Sequence, residues 1–233
     1  LSKTKVIAFR KGGFLSARES WHYGDKKLEV VNSYKYLGLY FTTKLSLVST
    51  VSDLATKAKI RTSQLLKCLW KLGDIIPREI FFKMYDVQIL PILLYGSEIW
   101  GHQPYEVLEK AHLFACKRLL NVTLNTPNKM VYGDLGRFPV HVTSRVRCIK
   151  YWLRLVNMSD DRLPRKTYNM LLHFQENGVN NWAFSIKDLL CRNGFGVVWL
   201  QQGVGCMRSF LREFSQRLRD CYVQGWHSSI SSS

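Results

Sequence analysis

Four cations share one stretch of the chain at spacings that a helix would gather: Lys57, Arg61, Lys67 and Lys71. Between Ser49 and Gly73 the apolar residues Val51, Leu54, Ala58, Leu65, Leu69 and Leu72 recur at intervals of three, four and seven. That is the period of an amphipathic helix, and at about 100° per residue the four cations fall away from the apolar stripe. One side packs and the neighbouring side is positive. Such a face holds phosphates by charge, although the same pattern also describes a solvated face. Ser49 or Ser52 is expected to cap this helix and Gly73 to end it.

Other reactive residue types lack the spacing that chemistry needs. Asp160 and Asp161 are adjacent carboxylates, but they follow a long helical pattern and precede Leu163-Pro164, which reads as a helix-capping loop. Cys191, Cys206 and Cys221 lie near His227, yet paired ligands at short spacing are absent, and no metal site is expected. The six cysteines include no CxxC pair and read as reduced, mostly buried thiols of an intracellular protein. Gly194-Phe195-Gly196 lacks the strand-to-helix context of a dinucleotide loop, and the scattered serines and histidines suggest no triad. What remains is charge. Lys and Arg number 34 against 17 Asp and Glu, a formal net charge of +17, which attracts polyanions in a salt-dependent way. No segment approaches the roughly 20 apolar residues that span a bilayer, and no signal-peptide pattern follows Leu1. The expected partners are RNA and DNA, with no membrane, in the nucleus or cytoplasm.

The elements that must position these residues change character along the chain. Val6 to Phe9 reads as a short strand stopping at Gly12-Gly13. Trp21 to Tyr23 and Leu28 to Val31 read as a hairpin turning at Gly24-Asp25. Tyr34 to Phe41 continues as another strand, with Tyr34, Tyr36 and Tyr40 on one face and Gly38 marking a bulge or a close approach. After Thr43 the period is helical. Further helices are predicted from Pro77 onward, at 105–120, at 126–136, at 142–158, at 163–175, at 185–191 and at 206–224. Phe81, Phe82, Tyr85, Trp152 and Trp199 are expected in the core. A polar loop at 159–161 separates two helical groups.

Leu1 to Gly13, Tyr34 to Gly38, Tyr95 to Gly101 and Asp134 to Pro139 resemble, in order and spacing, segments in the C-terminal part of non-LTR (LINE-type) retrotransposon reverse transcriptases. Leu1 to Gly13, with Lys3-Thr4-Lys5, is similar to the strand called motif D that closes the palm domain. Tyr34-Lys35-Tyr36-Leu37-Gly38 resembles motif E, the hairpin that acts as primer grip. Tyr95-Gly96-Ser97-Glu98-Ile99-Trp100-Gly101 resembles a YG-x-E-x-W segment of the thumb. Asp134-Leu135-Gly136-Arg137-Phe138-Pro139 resembles an E-L-G-R-x-P element, with Asp in place of Glu.

The resemblance implies an α+β, mainly α chain: a small N-terminal antiparallel sheet or hairpin followed by a thumb-like helical bundle. Residues 1–45 would close the palm and carry the primer grip, 46–158 would form the thumb, and 159–233 a helical linker. Nucleic acid would then meet Lys3, Lys5, Tyr36, Leu37, Gly38, Lys57, Arg61, Lys67 and Lys71. Lys3 or Lys5 is the candidate general acid of motif D, with plain phosphate contact and solvated charge as alternatives. The family's Mg2+-binding carboxylates lie upstream of the matching stretch, so the chain reads as an excerpt that binds no metal and is inactive by itself. Asp160-Asp161 echoes their Y-x-D-D box without the strand–turn–strand setting. A domesticated nucleic-acid or protein interaction module is the second reading, and a nonfunctional remnant the third.

Overall fold

The computed structural model describes residues 4–10, 13, 16, 19–71 and 77–231. Among these residues six short strands come first: β1 (Lys5–Val6), β2 (His22–Tyr23), β3 (Lys26–Lys27), β4 (Glu29–Val30), β5 (Ser33–Tyr36) and β6 (Leu39–Thr42). β2 and β3 form the expected hairpin around Gly24-Asp25, with Gly24 at φ 57°. Its return strand is Lys26–Lys27 rather than 28–31, because Glu29–Val30 leaves to pair with β1. That β1–β4 ladder is parallel, and it stops short of Phe9.

The strand expected from Tyr34 through Phe41 is folded back on itself. β5 and β6 are antiparallel, with Tyr36 opposite Leu39 and a two-residue turn at Leu37 (φ 48°) and Gly38 (φ 85°). Positive φ at both central positions matches the twist of a tight hairpin. Alternation of apolar residues runs straight through the turn, which is why periodicity alone conceals it. The hairpin also moves Tyr40. It pairs with Lys35 and so faces away from Tyr34 and Tyr36, correcting the expectation of three tyrosines on one face.

Eleven helices follow among the described residues: α1 (Val48–Trp70), α2 (Arg78–Gln88), α3 (Leu90–Leu93), α4 (Ser97–Trp100), α5 (Glu106–Leu119), α6 (Asn128–Leu135), α7 (Val140–Val156), α8 (Leu163–Glu176), α9 (Trp182–Arg192), α10 (Gly196–Leu200) and α11 (Met207–Ser231). The chain is therefore α+β and mainly α. Leu47, not Ser49 or Ser52, precedes α1, and no side chain caps it; Leu72 and Gly73 lie outside the described residues. α7 starts two residues earlier than the pattern predicts, where Pro139 (φ −53°) sets the entry. Gly136 ends α6 in the left-handed region (φ 61°), whereas Gly133 sits inside it. α3, α4 and α10 are too short to declare a period, and the sequence does not reveal them.

Two hydrophobic clusters hold the helices. The first runs from Val51 and Leu54 of α1 through Phe81, Tyr85, Trp100 and Ala111 to Val140. The second takes Val142, Ile149, Trp152 and Leu153 of α7 with Tyr168, Ile186, Leu190, Trp199 and Phe214. The change of core thus falls in the first turn of α7, while 159–161 is a turn between α7 and α8. All five aromatics expected inside are buried, whereas of the six cysteines only Cys116 and Cys148 are, Cys68, Cys191, Cys206 and Cys221 being exposed on their helices or turns. No helix among the described residues is long and apolar enough to cross a membrane.

Candidate nucleic-acid interface

The apolar stripe of α1 behaves as its spacing predicts. Val51, Leu54, Ala58, Leu65 and Leu69 are buried, and Lys57, Arg61, Lys67 and Lys71 are exposed. At the helical rise the four cations run about 21 Å along one side. Ile60, 55% exposed, lies within the same arc. Lys57 donates to Asp53 at 2.7 Å, one turn back. Arg61 is held by neutral amides, at 3.2 Å from Gln64 and 3.0 Å from Gln88, so its charge is uncompensated. Lys67 and Lys71 meet no carboxylate within ion-pair distance among the described residues.

The β5–β6 hairpin is seated against the start of this helix. Thr50 is fully buried; its hydroxyl accepts the Tyr40 N–H at 2.8 Å and donates to the Tyr40 carbonyl at 3.2 Å. Lys35, on the same hairpin face as Tyr40, reaches Asp53 at 3.1 Å. Asp53 thus lies between a hairpin lysine and a helix lysine. Lys57 first, and Lys35 with it, hold its carboxyl below the usual range against the opposing pull of burial. Asp53, in turn, raises the Lys35 ammonium above its ordinary value, with help from Tyr40.

The other end of the hairpin meets a distant turn. Tyr95 Oη donates to the Leu37 carbonyl at 2.6 Å, across 58 residues of sequence. A Cβ on Gly38 would stand 3.3 Å from the Tyr95 ring, and one on Gly96 would stand 3.2 Å from Leu39. Both glycines are at positive φ, and together they let turn and hairpin tip touch. From beneath, Trp100 Nε1 donates to the Tyr95 carbonyl at 3.1 Å and Arg147 to the Leu94 carbonyl at 3.2 Å. Leu37 itself points outward, 72% exposed. Two segments singled out separately in the sequence form one joint.

Asp134 to Pro139 anchors the fold. Arg137 makes two bonds to Asp86, at 2.9 and 2.5 Å, and lies 4.5 Å over the Phe82 ring. Burial alone would lower its proton affinity, but Asp86 reverses that. Beside it, Glu109 accepts the Val140 N–H at 3.0 Å and the Tyr132 hydroxyl at 2.5 Å, binding α5 to α6 and the start of α7. Burial pushes that carboxyl up; hydrogen bonds from His141 and Tyr132 outweigh it and leave it lowered. His112 takes the Tyr85 hydroxyl at 2.7 Å, and burial drives its pKa down to about 4.

The remaining sequence-derived candidates stand elsewhere. Lys3 lies outside the described residues. Lys5 forms an ion pair with Glu29, its partner across the β1–β4 ladder. Asp160 and Asp161 are exposed in a turn; Arg165 donates to Asp160 at 3.1 Å, and Arg162 precedes α8 with no side-chain cap. The pair therefore does not cap that helix. Among the described residues no three His, Cys, Asp or Glu side chains gather as a metal cluster. Thr50, Lys35, Asp53 and Tyr95 were not predicted as interface residues. Asp53 was findable from its i, i+4 spacing to Lys57. Thr50 left no signal.

The chain is 23% identical over 98% of its length to a 115 kDa protein in the type-1 retrotransposable element R1DM of Drosophila melanogaster. It spans 19% of that relative's length. The similarity relates the chain to non-LTR retrotransposon proteins. No protein-family profile matches it, and no solved structure does.

Proposed function

We propose that this chain is the part of a non-LTR retrotransposon reverse transcriptase that follows the catalytic palm strands, and that it holds a primer–template duplex. The observation that carries the reading is the joint between the Tyr36-Leu37-Gly38 hairpin and the Tyr95-Gly96 turn, set at the head of a basic helix. A primer's end must be held within about half an ångström of its productive position, so a clamp needs a braced hairpin. This one is tied by Thr50, Asp53 and Tyr95. Its tip presents Tyr36 and Leu37 outward, where a sugar-phosphate can approach.

From there α1 would track the duplex. Lys57, Arg61, Lys67 and Lys71 contact successive phosphates, which position the duplex without reading its sequence. Ile60 in the same arc suits a face that packs on sugars. Lys3 and Lys5 contribute as phosphate contacts, and Lys5 does so once released from Glu29. In the full-length family the metal-binding carboxylates belong to upstream palm strands, so the chain alone binds duplex without extending it.

The test is binding of a labelled RNA–DNA hybrid to the intact chain at low and near-physiological salt. A variant with Lys57, Arg61, Lys67 and Lys71 all changed to Gln runs beside it. We expect binding that falls steeply with salt and is mostly abolished in the variant. Equal binding by both proteins would remove α1 from the interface; nucleotide incorporation by the chain alone would refute its inactivity.

A further inference from the structure

A cleft of about 510 Å³ opens where the α4–α5 junction, α7 and α9 meet, and it shares no residue with the β5–β6 hairpin or with α1. Arg145 of α7 and Arg192 at the end of α9 both line it. The Arg145 Nε is fully enclosed and meets no acceptor. Burial, and then the charge of Arg192, lower its proton affinity. This is costly placement for a guanidinium, since a buried donor without a partner loses its water with nothing in return. Other half-buried arginines of the chain avoid it: Arg137 has Asp86, Arg165 has Asp160 and Arg10 has Glu19.

Arg192 is held at 2.7 Å by Asp188, which also lines the cleft. Two guanidinium groups therefore share the cleft with one carboxylate, which only Arg192 engages, and an anion would complete the arrangement. The same wall carries Phe184, 40% exposed, a flat apolar surface beside the cations. The volume suits a small ligand rather than a single ion. We propose that this cleft binds one nucleotide unit, its phosphate between Arg145 and Arg192 and its base against Phe184. Guanidinium groups favour phosphate through paired, charge-assisted hydrogen bonds, and an aromatic ring accepts any base. The unit is either a free nucleotide or one nucleotide of a single strand.

The experiment titrates the intact chain with adenosine monophosphate, inorganic phosphate and a short single-stranded RNA, reading binding by calorimetry. The monophosphate or the RNA is expected to bind more tightly than inorganic phosphate. Arg145→Lys and Arg192→Gln each weaken it about tenfold or more. Phe184→Ala erases the preference over inorganic phosphate. Gln103→Glu places a carboxylate at the rim, so it abolishes binding and raises the thermal midpoint of the free chain, a readout that survives if an Arg145 variant fails to fold. Binding of the monophosphate without the RNA assigns the site to a free nucleotide, and RNA binding that Arg192→Gln weakens and the α1 quadruple variant keeps assigns it to a strand. No binding of either, or unchanged binding in Arg192→Gln, overturns the proposal. The α1 quadruple variant keeps this binding, so failure here and failure of the duplex reading are separate results.

Discussion

Thr50 satisfies both backbone groups of Tyr40 with one hydroxyl inside the fold. Thr50→Val keeps the shape and leaves a buried donor and acceptor unmet, so it should cost about 1–3 kcal/mol in urea unfolding. Ser49→Ala, on the same helix, should cost almost nothing by comparison. His112 links stability to acidity. Its pKa falls from 6.5 to about 4 in the fold, so between these values the unfolded chain binds more protons. Stability is therefore whole above pH 6.5 and declines as the pH falls toward 4. His102, lowered by burial, acts in the same direction; Glu109 adds its loss lower still, below the ordinary carboxylate value. The His112 share is at most about 3 kcal/mol. His112→Gln should flatten the dependence of the denaturation midpoint on pH in that window.

At the scale of elements, close approach between α4 and α7 depends on one missing side chain. A Cβ on Gly101 would lie 2.4 Å from the Ser144 carbonyl oxygen, while the Ser144 hydroxyl donates to the Gly101 carbonyl at 3.1 Å. Backbone atoms cannot step aside as a flexible side chain does. Gly101→Ala should thus cost about 3 kcal/mol or more, measured by chemical denaturation, and should loosen the Tyr95 turn that leans on Trp100. Hydrogen exchange should then rise in β5 and β6 as well, because the Leu37 carbonyl loses its anchor. Helices with a long apolar period were legible in the sequence. The four-residue helices α3 and α4 were not, since a single turn is held by what surrounds it.

The whole molecule is organised around α7, whose first residue belongs to one core and whose remaining buried apolar residues belong to the other. Tyr222 of α11 returns to pack against the first core, meeting Tyr132 at 6.2 Å between rings. On this frame the excess of positive charge is spread widely, so a change in salt should affect all duplex binding. Removing the four α1 cations should reduce the salt slope by about 0.7–0.9 for every phosphate left unneutralised, measured by fluorescence anisotropy over a salt series. A fall in affinity with an unchanged slope would point instead to a distorted fold.

By itself the sequence determined the long helices, the positive side of α1 and the buried aromatics, because periodicity and charge are local properties that survive in any context. It also carried the order of the segments that resemble a reverse transcriptase. Tertiary structure decided the rest. It folded Tyr34 to Phe41 into a hairpin, turned Tyr40 away from its neighbours and brought Leu37 to Tyr95. It also left the Arg145 Nε without an acceptor beside Arg192. Those outcomes depend on residues far apart in the chain arriving within hydrogen-bond distance, and no spacing rule along one segment encodes that.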